Sequence, residues 1–178
     1  MAHGHEIPST KTCVRLNIGK MTITEKLLDS LKSQFLLGDN GFHGWSHWLR
    51  VLENGRRLAP LTGANLKVVE LFSVFHDSQR ENEGFDPGHG QRGADFAVEM
   101  RGRWFEASDQ EMDLLYQACA LHAKGLTQAD VTLQTCWDAD RLDLGRVGIA
   151  PRIDRLCTPA AKKIIEHQMK MPLRKLTP

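Results

Sequence analysis

The chain has 178 residues, enough for one domain with a proper hydrophobic core and hardly enough for two. Its 23 basic and 22 acidic residues leave a formal net charge of +1, so no sequence-wide attraction to nucleic acid or to an anionic membrane surface is implied. No apolar stretch approaches the roughly 20 residues that span a bilayer, and the N-terminal MAHGHEIPST lacks the apolar core of a secretory signal, which predicts a soluble, cytoplasmic protein.

Residues 1–21 carry no helical or strand periodicity and are expected to form a flexible leader ahead of one folded domain over residues 22–178. Thr24 is placed to cap a first helix in which Leu27, Leu28, Leu31, Phe35 and Leu36 recur at three- and four-residue spacing, until Gly38-Asp39-Asn40-Gly41 ends it. In FHGWSHWLRVLENGRRL, Trp45, Trp48, Leu49 and Leu52 form an apolar stripe at helical spacing, with His43 and His47 on a neighbouring face. Asn65 begins a third helix; its β-branched and aromatic interior also suits a buried strand, and the helical patterns on either side decide for helix.

That apolar run closes on His76-Asp77, and the stretch DSQRENEGFDPGHGQRG that follows is too rich in charge, Gly and Pro for core. It reads as a surface loop leading into a helix marked by Ala94, Phe96, Ala97 and Met100. Ser108 followed three residues later by Glu111 has the spacing of a capping box, and Met112, Leu115, Tyr116, Cys119 and Ala120 continue to Leu121-His122 before Gly125 stops the helix. Thr127 to Ala139 reads as one or two short helical turns leading into WDADRLDLGR, and Pro159 to Lys170 as an amphipathic helix with Ile164 and Ile165 inward. No strand run stands out, so the predicted class is all-α. The four cysteines, Cys13, Cys119, Cys136 and Cys157, form no CxxC pair, which predicts reduced, mostly buried thiols.

The chemistry gathers around His76 and Asp77, one imidazole and one carboxylate at the end of a buried helix, a suitable anchor for a metal ion. A helix-end histidine is also favoured by the macrodipole and an aspartate commonly starts a turn, so the pair gains weight only from its company. His43 and His47 precede it, His89 and His122 follow it, and Asp138, Asp140 and Asp143 lie further on. On a helix Asp140 and Asp143 are near neighbours while Asp138 points elsewhere, so at most one or two of the three reach a common centre.

The ordered segments HGWSHWLRV, VFHD, GHGQRGADFA, LHAKG and DADRLD, spread over Phe42 to Arg146, resemble the HD-domain superfamily of metal-dependent phosphohydrolases. The resemblance implies a single-domain, HD-type helical bundle holding a divalent metal through His47, His76, Asp77 and Asp140. Members with two metals add histidines from later segments, and His89 and His122 stand where those fall, with a polar role in the pocket as the alternative. Such N and O donors suit Mn, Fe, Zn, Co, Ni or Mg rather than Cu(I). Asp77, Arg50 and Lys124 form the expected catalytic set, and Arg80, Arg92 and Arg141 the expected substrate-binding cations. Asp138 is a candidate partner for a ligating histidine. In some nucleotidase-like members a glutamate stands three residues after the His-Asp pair; here that position is Arg80, with Glu81 one further on. The implied activity is hydrolysis of a small phosphorylated substrate, a nucleotide among the candidates, with no nucleic acid or membrane partner. The alternatives on this scaffold are a non-catalytic metal- or nucleotide-binding regulatory module and a di-iron oxygenase.

Overall fold

The structure, a computed structural model, describes residues 22–38 and 41–170; the leader expected over residues 1–21 lies outside them. Among the described residues the chain forms helices α1 (Glu25–Gln34), α2 (Trp45–Thr62), α3 (Leu66–Phe75), α4 (His89–Met100), α5 (Asp109–Leu121), α6 (Val131–Arg141) and α7 (Pro159–Lys170). Single 3-10 turns cover His122–Lys124, Leu144–Val147 and Ile153–Arg155. No strand occurs among the described residues beyond an isolated bridge between Arg101 and Phe105, so the all-α expectation holds.

Helix α3 is the axis of the bundle and packs against α2, α5 and α6. Every residue from Val68 to Phe75 is buried, as a helix that is apolar on all sides must be. Each large side chain there contributes on the order of 1.5–3 kcal/mol by leaving water. The Asn65 side chain starts the helix by accepting the Val68 N–H at 3.3 Å. The one acid inside it, Glu70, is neutralised from α2 by Arg56, whose Nε donates to Oε1 at 2.7 Å.

Helices α1 and α5 start by the same cap chemistry. Thr24 Oγ1 accepts the Leu27 N–H, and Ser108 and Glu111 complete both halves of the capping box that opens α5. Two apolar residues point the wrong way for the predicted stripes. Helix α1 ends at Gln34, leaving Leu36 77 % exposed, and Leu49 is 42 % exposed because the inward face of α2 runs through Trp48, Val51, Leu52, Leu58 and Ala59. The segment expected as short turns over Thr127–Ala139 is largely one helix, α6, capped by Asp130 through the Thr132 N–H at 2.7 Å and buried along Leu133, Cys136 and Trp137. Helix α7 covers Pro159–Lys170 as expected, with Ile165 buried and Ile164 only partly so. Cys119, Cys136 and Cys157 are free and buried.

Two glycines let α4 approach closely enough to deliver its first residue to the centre. A Cβ at Gly90 would lie 2.5 Å from the Cys119 carbonyl oxygen, and one at Gly93 would lie 2.4 Å from that of Phe75. Neither backbone oxygen can step aside, so α4 rests on α5 and on the end of α3 only because both positions lack a side chain.

Candidate metal centre

Five elements converge at the C-terminal end of α3. His47 comes from the first turn of α2, His76 and Asp77 from the end of α3, His89 from the first residue of α4, His122 from the end of α5, and Asp140 from the last turn of α6. All except Asp140 are buried, and Asp140 is partly so. His47 Nε2 lies 3.0 Å from His76 Nε2, and Asp77 Oδ2 lies 3.5 Å from each. Asp140 Oδ1 closes the group at 3.4 Å from His47 Nε2 and 3.9 Å from His76 Nε2. The other oxygen of Asp77 faces a second pair: Oδ1 is 3.3 Å from His89 Nε2 and 3.6 Å from His122 Nε2, which are 2.9 Å apart. One carboxylate thus joins two groups of donors.

The outer nitrogens of all four imidazoles are tied to oxygen. His47 Nδ1 is 2.7 Å from Asp143 Oδ2, His76 Nδ1 is 3.1 Å from the Phe72 carbonyl and His122 Nδ1 is 2.7 Å from that of Cys119; His89 Nδ1 meets the Asp86 carbonyl. A carbonyl or carboxylate can only accept, so each Nδ1 carries the proton and each Nε2 aims a lone pair inward. Lone pairs about 3 Å apart repel one another unless a cation lies between them. The need is repeated by Asp77 Oδ1 and Asp140 Oδ1, both buried without a hydrogen-bond partner. Triangles with edges of 2.9–3.6 Å have corners that can all sit about 2 to 2.5 Å from one point, the bond length of hard divalent ions to N and O. The donor set therefore fits a divalent metal.

The electrostatics agree. Burial pushes the His76 imidazole down to about 3, and it pushes that of His89 down too, with help from His122, so both are neutral donors. Burial opposes charge on His47 as well, yet the carboxylates of Asp140, Asp143 and Asp77 around it outweigh burial and raise this group to about 10, so that without a metal its Nε2 holds a proton that a bound cation would displace. His122 is raised by Asp77 in the same way. Burial acts to raise Asp77 and Asp140, but the surrounding histidines hold both well below the usual carboxylate range. The carboxylates are ionised and draw positive charge to the centre.

The remaining predicted residues divide. Arg80 is buried against the second group, its Nη1 3.1 Å from His89 Nε2 and 3.5 Å from Asp77 Oδ1. Lys124 is exposed on a surface cavity of about 430 Å³ that is also lined by Arg80, Phe85, Asp86 and His89. Arg50 reaches the centre only indirectly, donating from Nε to Asp143 Oδ1 at 2.7 Å. Arg92 donates within its own loop, to the Gln79 carbonyl at 3.0 Å and to Asp86 Oδ2 at 2.6 Å. Arg141 turns a helical step away from Asp140 and donates to the carbonyls of Leu126 and Arg155 at 2.7 and 2.8 Å. Asp138 does not orient a histidine. It accepts from the Cys157 and Thr158 N–H groups and the Thr158 hydroxyl, each at 2.7 Å, and so fixes the start of α7. Glu81 is exposed and turned toward Arg92, and His43 pairs with Glu83. Sequence reasoning left Asp143 without a role and missed Arg146, whose Nη1 is 3.7 Å from Asp140 Oδ1. The three-residue steps from Asp140 to Asp143 to Arg146 were the available signal.

The bundle and its centre define an all-α protein that presents a histidine, an adjacent His-Asp pair and a distant aspartate around one point. Among solved structures the chain is similar to the crystal structure of a predicted HD superfamily hydrolase from an uncultured Thermotogales bacterium. The two are 25 % identical with a TM-score of 0.63, over 81 % of this chain and 83 % of that chain. This likeness in fold supports the resemblance of the chain to the HD-domain superfamily. No family model and no curated protein sequence matches it.

Proposed function

We propose that the protein is a metal-dependent phosphohydrolase acting on a small phosphorylated substrate, with nucleotides the leading class. The observation that carries this reading is the position of the donor cluster beside a cavity that His89 and Arg80 line from the cluster's edge and that Lys124 and Phe85, which is 90 % exposed, line with them. In this reading His47, His76, Asp77 and Asp140 hold one divalent ion, and Asp77, His89 and His122 offer a second position. The ion supplies Lewis acidity and makes hydroxide available near neutral pH.

The protein's own groups do the rest. Lys124 offers an anionic group a mobile charge at the mouth of the cavity, and the fixed Arg80 guanidinium behind it adds positive potential. Phe85 presents a flat apolar face on which a base can stack, which favours a nucleotide over inorganic phosphate. Asp143 holds His47 in the tautomer that turns Nε2 inward, and Arg50 and Arg146 hold Asp143. The Thermotogales protein's printed description as a hydrolase supports the reaction class. The test is protein stripped of metal, reloaded with single divalent ions and assayed against nucleotides and a generic phosphate ester. Phosphate release restored by at least one ion is expected. Ligand binding without metal-dependent release would refute the proposal in favour of a binding module, and oxygen consumption by the iron form would refute it in favour of an oxygenase.

A further inference from the structure

Arg80 does more than face the cavity. Its side chain is almost fully buried, and Nη1 points into the triangle of Asp77, His89 and His122. An N–H of Nη1 is directed at His89 Nε2, whose lone pair is free because Nδ1 carries the proton. The same nitrogen is the nearest permanent positive charge to Asp77 Oδ1, a buried oxygen without a hydrogen-bond partner. The guanidinium is also held from behind: Nη2 donates to the Gly84 carbonyl at 2.9 Å and Nε to that of Asn82 at 3.4 Å. That loop is fastened in turn by Arg92 to Asp86 and by Glu83 to His43.

We propose that Arg80 is a built-in cation for the second donor group: its guanidinium takes the place of a second metal ion, and the protein binds one divalent ion per chain, at His47, His76, Asp77 and Asp140. The inference rests on the metal-centre reading given above and sharpens it. An arginine keeps its charge at any pH the fold survives, so a dication entering the triangle meets a fixed positive charge in contact with two of its three donors. Entry requires Nη1 to leave His89, and that requires loop 81–86 to release the rest of the side chain. No arginine makes a comparable hydrogen bond to the histidines of the first donor group: Arg146 Nη1 is 3.7 Å from Asp140 Oδ1, beyond hydrogen-bond distance, and its Nε donates to the Phe42 carbonyl.

The test counts ions and needs no substrate. The parent chain and the variants R80A and R80M are stripped of metal, checked for cooperative melting and titrated with Mn²⁺. Bound ions are counted by elemental analysis, magnetic coupling is read by electron paramagnetic resonance, and positions are read by anomalous scattering. The parent is expected to hold one uncoupled Mn²⁺. Either folded variant is expected to hold two coupled ions, the second at least tenfold tighter than any second event in the parent, and addition of H89A is expected to return the count to one. Two ions in the parent, or one ion in a folded variant, overturns the inference. If neither variant folds, the parent decides alone, through the presence or absence of an anomalous peak between Asp77, His89 and His122. A parent that binds no Mn²⁺ overturns both the inference and the metal centre. Failure of the phosphohydrolase reading alone would leave every count unchanged.

Discussion

Replacing Asp143 tests whether the centre is organised from behind. Its Oδ2 accepts the His47 Nδ1–H at 2.7 Å, and its Oδ1 is held by Arg50 at the same distance, so the carboxylate fixes both the tautomer and the rotation of His47 without touching the inward donors. In D143A the imidazole can spin about χ2 and can place its proton on Nε2, and either change removes one lone pair from the first group. Loss of such a partner typically lowers metal affinity 10- to 100-fold, or about 1.4–2.8 kcal/mol. D143N is expected to fall between parent and D143A, because its amide oxygen still accepts the Nδ1–H but brings no charge. The assay is competition for Mn²⁺ or Zn²⁺ against a chromophoric chelator, with metal-free melting measured in parallel. D138N is the control. Asp138 anchors α7 through three hydrogen bonds, so its replacement should lower the metal-free melting temperature while leaving affinity within about twofold. Affinity within twofold of the parent in D143A would refute the orienting role.

Metal loading itself should raise thermal stability, by about 2.7 kcal/mol at a free concentration a hundred times the dissociation constant; a melting temperature unchanged by chelator would count against the centre. G93A should lower stability by about 1–3 kcal/mol even though alanine favours helix, since the new methyl would sit 2.4 Å from the Phe75 carbonyl oxygen. In contrast, G145A meets nothing within 4 Å and should be neutral, so equal losses in the two variants would contradict the packing argument. The third concerns pH. Burial acts to raise the Glu111 carboxyl, but the Ser108 N–H, Lys67 and Asn65 outweigh it and bring it from 4.5 to about 2. A folded-state value below the unfolded one means the contribution is fully present above about pH 4.5 and is lost as pH falls toward about 2. Urea melts of E111Q should therefore lose that part of the acid slope, and a slope identical to the parent would show that Glu111 is not the group responsible.

Much of the fold was legible because helix starts are local chemistry. Thr24, Asn65, Ser108 with Glu111, and Pro159 each open a helix where the sequence places one, since a cap needs only its own hydroxyl, amide or ring and the next three residues. Helix α3 was harder, because Val-Val and Ser-Val-Phe suit a strand equally well; with no strand among the described residues to pair with it, a helix satisfies its backbone. The errors lie where tertiary packing decides. Leu36 and Leu49 continue an apolar period but fall on faces that no neighbour covers. Helix α6 was broken into turns because Thr132, Gln134 and Thr135 interrupt its apolar pattern. The fold buries Thr135 all the same, satisfying its hydroxyl with the Thr62 hydroxyl and the Val131 carbonyl.

The site divides along the same line. His47, His76, Asp77 and Asp140, and His89 with His122, could be named from the resemblance their segments carry, and the fold brings His47, His76 and Asp77 together, sets Asp140 within 4 Å of the two histidines, and gathers Asp77, His89 and His122. Their supporting groups could not be named, because a partner is fixed by rotation about a helix rather than by closeness in sequence. DADRLD shows this within six residues. At about 100° per residue, Asp138 is carried to α7, Asp140 to the centre, Arg141 to the carbonyls of the loop behind it and Asp143 back to His47. Two of these four charges serve the centre and two serve the bundle, and nothing in their chemistry distinguishes them until neighbouring helices fix the rotation of α6. Arg80 presents the same problem in a loop. As a charge near a His-Asp pair it reads as a clamp for substrate; only the carbonyls of Asn82 and Gly84, which draw its guanidinium inward, make it part of the centre itself.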